Sequence, residues 1–257
     1  MAVGRLAGAV PPPVHCRCCQ GTVRGRCTLK TMASPLYAYC HGFLSGPGSS
    51  KGKHLQRLLG QHGIALRLLD LNGHGGPASL TPERALATIH ALWTSQVQSA
   101  PMRLLGSSFG GWAAARYAEL HPDRVDRMLL LAPAFEFATR WPAIIGVEEL
   151  RRWQKEGARE FSMPSDGSSV MVPWSFAKAV EHSIGSEPPR IIVPTIIIHG
   201  SKDEVLLVEA SERAVGQSDG AGTLVIVDDD HALTAPATLL EIERQAQRFF
   251  SLPQRRT

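Results

Sequence analysis

The stretch Met102-Arg103-Leu104-Leu105-Gly106-Ser107-Ser108-Phe109-Gly110-Gly111-Trp112-Ala113-Ala114-Ala115 decides how this chain is read. Its first four residues have the character of a buried strand, and the run from Gly111 has that of a helix. Between them lies the pattern Gly-x-Ser-x-Gly. A strand that turns at once into a helix holds the central serine on a crowded and strained turn, which demands glycine on either side. Ser108 is therefore the candidate nucleophile, and Ser107, its neighbour in the turn, points elsewhere. The pattern alone settles nothing, because it recurs as Gly48-Ser49-Ser50-Lys51-Gly52 and as Gly216-Gln217-Ser218-Asp219-Gly220. Ser50 follows Gly46-Pro47-Gly48, which reads as loop, and Ser218 precedes a strand. Only Ser108 has strand before it and helix after it.

Outward from this stretch, short apolar runs alternate with longer helical patterns. Residues 36–40, 65–69, 103–105, 128–132, 195–199 and 224–227 are expected strands. Residues 53–61, 82–96, 110–120, 204–215 and 236–250 are expected helices. That alternation predicts an α/β fold with a mostly parallel sheet and helices on both faces. In such a sheet, chemistry collects in the loops at the carboxyl ends of the strands. Residues 135–190 break the alternation, being too long for an ordinary crossover. They carry seven of the sixteen aromatic residues. They are expected to form an inserted helical cap, with Trp141, Trp174 and Phe176 as candidate substrate contacts. The plainer alternative is an elaborate crossover that only packs on the sheet.

A serine hydroxyl needs a base, and histidine is the usual one near neutral pH. Of the ten histidines, His231 lies just past the last expected strand, at a carboxyl end. His199 reads as buried in its strand, and His121 as a helix end before Pro122. His62, His90 and His182 fall on helical patterns. The orienting acid should come from another strand end, in the chain order Ser…Asp…His. Asp203 fits; its rivals are Glu204 and the run Asp228-Asp229-Asp230, which precedes His231 too closely to orient it. An oxyanion hole needs two backbone N–H donors. Phe109 supplies one, and Phe43, in the loop His41-Gly42-Phe43 after the first strand, is the candidate for the other. A plain loop glycine is the alternative reading of Gly42.

The chain has 257 residues, 44% of them hydrophobic, enough for a substantial core. No apolar run approaches the roughly 18 residues of a membrane span, which excludes an integral membrane protein. The net charge of +4 invites a nucleic-acid or membrane-surface reading, but its location argues against one. Residues 1–34 hold Arg5, Arg17, Arg24, Arg26 and Lys30 with no acid, and four of the five cysteines. The remainder is close to neutral. The expected organisation is a disordered or over-extended segment at 1–34, followed by one domain at 35–257 that contains the cap. An Arg-rich, acid-free leader also resembles an organelle transit peptide, and Met32 offers a later start. A zinc site on His15, Cys16, Cys19 and Cys27 is the weakest alternative, since one CxxC lacks its second pair. No disulfide framework is indicated, so a reducing, cytoplasmic setting is the default expectation, with an organelle as the alternative.

Taken together, the elbow Gly106–Gly111, the loop His41-Gly42-Phe43, His121-Pro122-Asp123-Arg124-Val125 and the Asp203 and His231 loops resemble the α/β-hydrolase superfamily. The likeness covers about residues 35–257 and includes Asp70-Leu71-Asn72-Gly73-His74-Gly75, a Gly-His-Gly loop to which no chemistry is assigned. His41-Gly42-Phe43-Leu44-Ser45, with the Ser-rich turn and Lys that follow, is similar to the YqiA-type bacterial esterases. Gly106–Trp112, Phe161-Ser162-Met163-Pro164-Ser165, Ser175-Phe176 and Ala179-Val180-Glu181-His182 are similar to the mitochondrial abhydrolase-domain palmitoyl-protein thioesterases. His41-Gly42 departs from the thioesterase pattern, and the first strands of the full superfamily sheet lack a counterpart before residue 35. The resemblance implies a serine hydrolase of esters or thioesters, with Ser108, Asp203 and His231 as its triad. It implies neither metal nor organic cofactor, and a small-molecule or acylated substrate in place of nucleic acid. The aromatic-rich cap favours apolar acyl groups. A C–C hydrolase or lactonase with the same triad, or a non-catalytic receptor on this fold, are the alternatives.

Overall fold

The computed structural model describes residues 34–96, 100–185 and 187–252. The basic, cysteine-bearing segment 1–34, with its zinc alternative, lies outside them except for Ser34. Six parallel strands form one sheet: β1 (Leu36–Cys40), β2 (Leu66–Leu68), β3 (Met102–Ser107), β4 (Val125–Leu131), β7 (Thr195–Gly200) and β8 (Gly222–Val227), in the order β2-β1-β3-β4-β7-β8. From β1 the chain steps outward to β2 and then returns to place β3 on the other side of β1. The crevice between β1 and β3 is therefore the switch point, where strand-end loops diverge and leave room for a ligand.

Side chains of successive strand residues point to opposite faces, and each face has its own core. Tyr37 and Tyr39 of β1, Leu129 and Leu131 of β4, and Ile196 and Ile198 of β7 pack with Leu55, Leu58 and Leu59 of α1 (Ser50–Gly60) and Ile242 and Ala246 of α8 (Pro236–Phe249). Ala38, Met102, Leu104, Met128, Leu130 and Ile197 face the other way. They meet Ile89 and Leu92 of α2 (Pro82–Thr94), Trp112 to Ala115 of α3 (Phe109–Leu120), and Ala210 and Ala214 of α7 (Val208–Gly216). Near-continuous burial on both faces is what a parallel sheet requires.

Two boundaries differ from expectation for a local reason. Helix α1 begins at Ser50, three residues early, because Ser49 caps it by accepting the Gly52 N–H at 3.2 Å. Helix α7 begins at Val208, four residues late. The Asp203 carboxylate takes the N–H groups of Val205 and Leu206, at 3.0 and 2.8 Å, that a helix would have used.

The insertion comprises α4 (Phe137–Ile145), α5 (Val147–Glu156), an antiparallel hairpin of β5 (Ala158–Ser162) and β6 (Ser169–Pro173), and α6 (Trp174–Ile184). The expected helical cap thus also holds a hairpin that the sequence reading omitted. Only Phe161 and Val172 of its ten residues are buried, so its alternation is too weak to read.

Candidate active site

Ser108 stands between β3 and α3 with φ 53° and ψ −122°, a backbone conformation costly for a residue with a side chain. The turn is held from several sides. The Ser108 N–H donates to the Leu131 carbonyl at 2.9 Å, and the Ser108 carbonyl accepts from the N–H groups of Gly111, Trp112 and Ala134. A β-carbon at Gly106 would strike the Gly110 carbonyl, and one at Gly110 would strike the carbonyl of Cys40. The hydroxyl has no capping duty in α3 and is left free. Of the decoys, Ser50 starts α1. The buried Ser218 closes its own turn, donating to the Val215 carbonyl and accepting the Gly222 N–H.

His231, from the loop after β8, places Nε2 3.1 Å from Ser108 Oγ and Nδ1 2.7 Å from Asp203 Oδ2. The Asp203 side chain is fully buried, and burial alone would raise its pKa. Hydrogen bonds from His199 and His231, the charge of His231 and the Leu206 N–H outweigh that and hold it well below the usual carboxylate range. An ionised carboxylate only accepts, so His231 Nδ1 carries the proton and Nε2 presents a lone pair to the Ser108 hydroxyl. Three residues separated by 28 and 123 positions thus form one hydrogen-bonded chain. The rival acids build the loop instead. Asp229 accepts the N–H groups of Asp230 and Ala235, Asp230 accepts that of Ala232, and Asp228 pairs with Lys202 at the surface.

The loop His41-Gly42-Phe43 lies against the elbow: a β-carbon on Gly42 would stand 3.2 Å from Ser108 Cβ. Buried His41 accepts the Leu71 N–H at Nε2, at 3.0 Å, so its proton sits on Nδ1 and is donated to the Gly42 carbonyl at 2.9 Å. Burial pushes its pKa down, in keeping with this neutral ring. The Gly42 carbonyl and the Phe43 N–H belong to one peptide unit, so the bond from His41 fixes the direction of that N–H. Among the described residues neither the Phe43 nor the Phe109 N–H has a hydrogen-bond partner.

Of the candidate substrate contacts, Trp141 and Phe176 gather at Phe43. The Phe43 ring stacks on Phe176 at 4.6 Å and 9°, and meets Trp141 at 6.0 Å and Phe161 at 5.5 Å. Trp174 is two rings beyond Trp141, edge-on to Trp153, which in turn meets Trp141, at 5.2 and 5.1 Å. Two contributors escaped the sequence reading. Lys51 of α1 reaches across 181 positions to the Ala232 carbonyl at 2.8 Å, beside His231. Arg140 of α4 donates to the carbonyls of Glu204 and Val205, next to Asp203. Neither tie has a signal in sequence spacing. Burial pushes the Lys51 ammonium down to about 8, against the pull of Asp203, Asp230 and Asp229. Among the described residues, no group of three or more His, Cys, Asp or Glu side chains is placed to hold a metal ion.

Comparison with known proteins agrees with this architecture. The mitochondrial palmitoyl-protein thioesterase ABHD10 of Rattus norvegicus is 26% identical over 221 residues, covering 80% of this chain and 72% of the relative. Its Homo sapiens counterpart is 27% identical over 184 residues, covering 67% and 58%. Among solved structures, mouse alpha/beta hydrolase domain-containing protein 10 superposes with a TM-score of 0.68 at 23% identity, covering 84% of this chain and 90% of that one. A putative hydrolase from Agrobacterium vitis S4 gives 0.68 at 20% identity, covering 84% and 87%. Est1E from Butyrivibrio proteoclasticus, solved with ferulic acid, gives 0.64 at 21%, covering 84% and 88%. These likenesses establish an α/β-hydrolase fold. The model of the uncharacterised protein family UPF0227 matches residues 36–245, and the chain belongs to that family.

Proposed function

We propose that this protein is a serine hydrolase that cleaves carboxylic ester or thioester bonds through an acyl-Ser108 intermediate. The observation that carries the reading is the continuous chain from Ser108 Oγ through His231 to the buried Asp203 carboxylate. His231 Nε2 takes the hydroxyl proton as Ser108 Oγ attacks the carbonyl carbon, and the resulting imidazolium is held by Asp203. The oxyanion is received by the N–H groups of Phe43 and Phe109, at about 3–4 kcal/mol per donor in comparable enzymes. His231 then passes its proton to the departing alkoxide or thiolate. Water, deprotonated by the same ring, hydrolyses the acyl-enzyme and returns the proton to Ser108.

The aromatic cluster over Phe43 favours an apolar acyl group, with Trp141 and Phe176 flanking it. The names of the curated relatives, palmitoyl-protein thioesterases, support that preference. Their mitochondrial designation, together with the acid-free basic segment 1–34, favours an organelle over the cytoplasm as the site of action. Fusion of that segment to a fluorescent protein tests the location.

Fluorophosphonate labelling, followed by a chain-length series of p-nitrophenyl esters and acyl-CoA thioesters, tests the activity. Labelling that vanishes in Ser108→Ala and turnover that rises with chain length are expected. Labelling that survives that substitution, or feeble turnover at every length, overturns the reading.

A further inference from the structure

The Asp203 carboxylate serves two histidines. His199 lies in the interior of β7, fully buried, between the apolar Ile198 and the strand end. Its Nε2 is 2.8 Å from the Leu206 carbonyl and 3.2 Å from Asp203 Oδ2, and its Nδ1 is 2.8 Å from Ser211 Oγ in α7. A carbonyl accepts and never donates, so Nε2 carries the proton and Nδ1 accepts from the Ser211 hydroxyl. The Nε2–H is therefore donated to the Leu206 carbonyl, and the same nitrogen stands 3.2 Å from the carboxylate oxygen that accepts from His231. Asp203 Oδ1 is already filled by the N–H groups of Val205 and Leu206. Oδ2 divides its charge between the two rings, only one of which reaches Ser108.

We propose that His199 is a positioning residue for the acid: its Nε2–H steadies Asp203 Oδ2 and withholds part of its charge from His231, so that it sets how readily His231 gives up its proton. The ring does this as a brace with three anchors, in β7, in the loop that carries Asp203, and in α7. An aliphatic side chain at this strand position would fill the space. It would leave the Ser211 hydroxyl without its ring acceptor and the Leu206 carbonyl without its ring donor, and would return the whole Oδ2 charge to His231. The other charges that act here are the Lys51 ammonium from α1 and Asp229 and Asp230 from the loop after β8. They are untouched by changes at His199, so the effect of His199 can be read separately. The inference rests on Ser108, His231 and Asp203 working as proposed above.

The test uses the full chain with His199→Phe, which keeps the ring volume and removes the donor, and His199→Gln, which restores an N–H near Nε2. Two readouts are taken: the pH dependence of kcat and KM for p-nitrophenyl butyrate, and the midpoint of the His231 ring titration by NMR, which needs no turnover. In His199→Phe the acidic limb and the NMR midpoint are expected to move up by roughly half to one pH unit, because the freed carboxylate charge holds the His231 proton harder. At pH 7 kcat falls by at most about three- to ten-fold while KM stays within about two-fold, and His199→Gln moves both limb and midpoint back. If His199→Phe does not fold, Ser211→Ala provides the same readouts with the ring in place, and a smaller shift in the same direction is expected. A limb and midpoint that stay put in the folded variant, whatever the loss of thermal stability, overturn the proposal. A wild-type protein without hydrolytic activity whose His231 midpoint still moves overturns the hydrolase reading instead.

Discussion

The rim of the sheet and the cap above it are built on different physics. At the rim, each member of the proposed triad is fixed by directional bonds: the Ser108 backbone has four, the Asp203 carboxylate has three with His199 Nε2 close beside it, and His231 is held at both ring nitrogens. In the cap, Phe43, Phe137, Trp141, Trp153, Phe161 and Phe176 meet as rings at 4.5 to 6.4 Å. Area, not direction, dominates there. The two regions join at Phe43, whose backbone faces the site and whose ring belongs to the cap, and at Arg140, which ties α4 to the Asp203 loop. A directional site tolerates almost no substitution, whereas an aromatic cluster tolerates those that keep its volume.

That contrast is broken hardest at Ser108. Ser108→Ala is expected to lower kcat by roughly 10⁵- to 10⁶-fold with thermal stability unchanged or raised, measured by ester turnover beside calorimetry. Next comes Asp203→Asn, with a loss of about 10⁴-fold as the tautomer of His231 is no longer imposed. Its stability deficit has a defined pH dependence. The folded pKa of Asp203 lies below the unfolded value near 3.9, so its contribution is fully present above about pH 4 and is lost as pH falls through the folded value. Wild-type and variant denaturation midpoints should therefore converge only in strong acid.

The cap responds in another currency. Phe176→Ala removes a buried ring stacked on Phe43 and is expected to cost about 3–5 kcal/mol in chemical denaturation. It should also flatten the chain-length profile, because Phe43 loses its partner; a profile that keeps its slope would assign Phe176 to packing alone. The smallest effect belongs to Lys51→Met. Loss of the tie to Ala232 should loosen the His231 loop and lower kcat/KM by roughly ten-fold, with the deficit shrinking above about pH 8, where the wild-type ammonium discharges.

The two regions also differ in how far they could be read beforehand. Ser108 was legible because the strand, the crowded turn and the helix are adjacent in sequence. His231 and Asp203 were legible because each ends a strand, and parallel strand ends share one edge. The cap was legible as an aromatic-rich interruption. Its hairpin was not, since only Phe161 and Val172 are buried and Arg159 shares their face, so the apolar alternation is too short to stand out. The start of α7 was misplaced because the Asp203 side chain competes for the backbone N–H groups of residues 205 and 206, a contact that helical periodicity does not register.

From its sequence alone, this protein's alternation of strands and helices, its elbow serine and the chain order of its candidate triad were determined, because near-neighbour sterics and side-chain period act over a few residues. Only the tertiary structure decided that Asp203 is shared with His199, that Lys51 holds the His231 loop, and that the Phe43 ring belongs to the cap. Those contacts depend on which surfaces meet once the layers have packed, and residues far apart in the chain carry no local pattern that records the meeting.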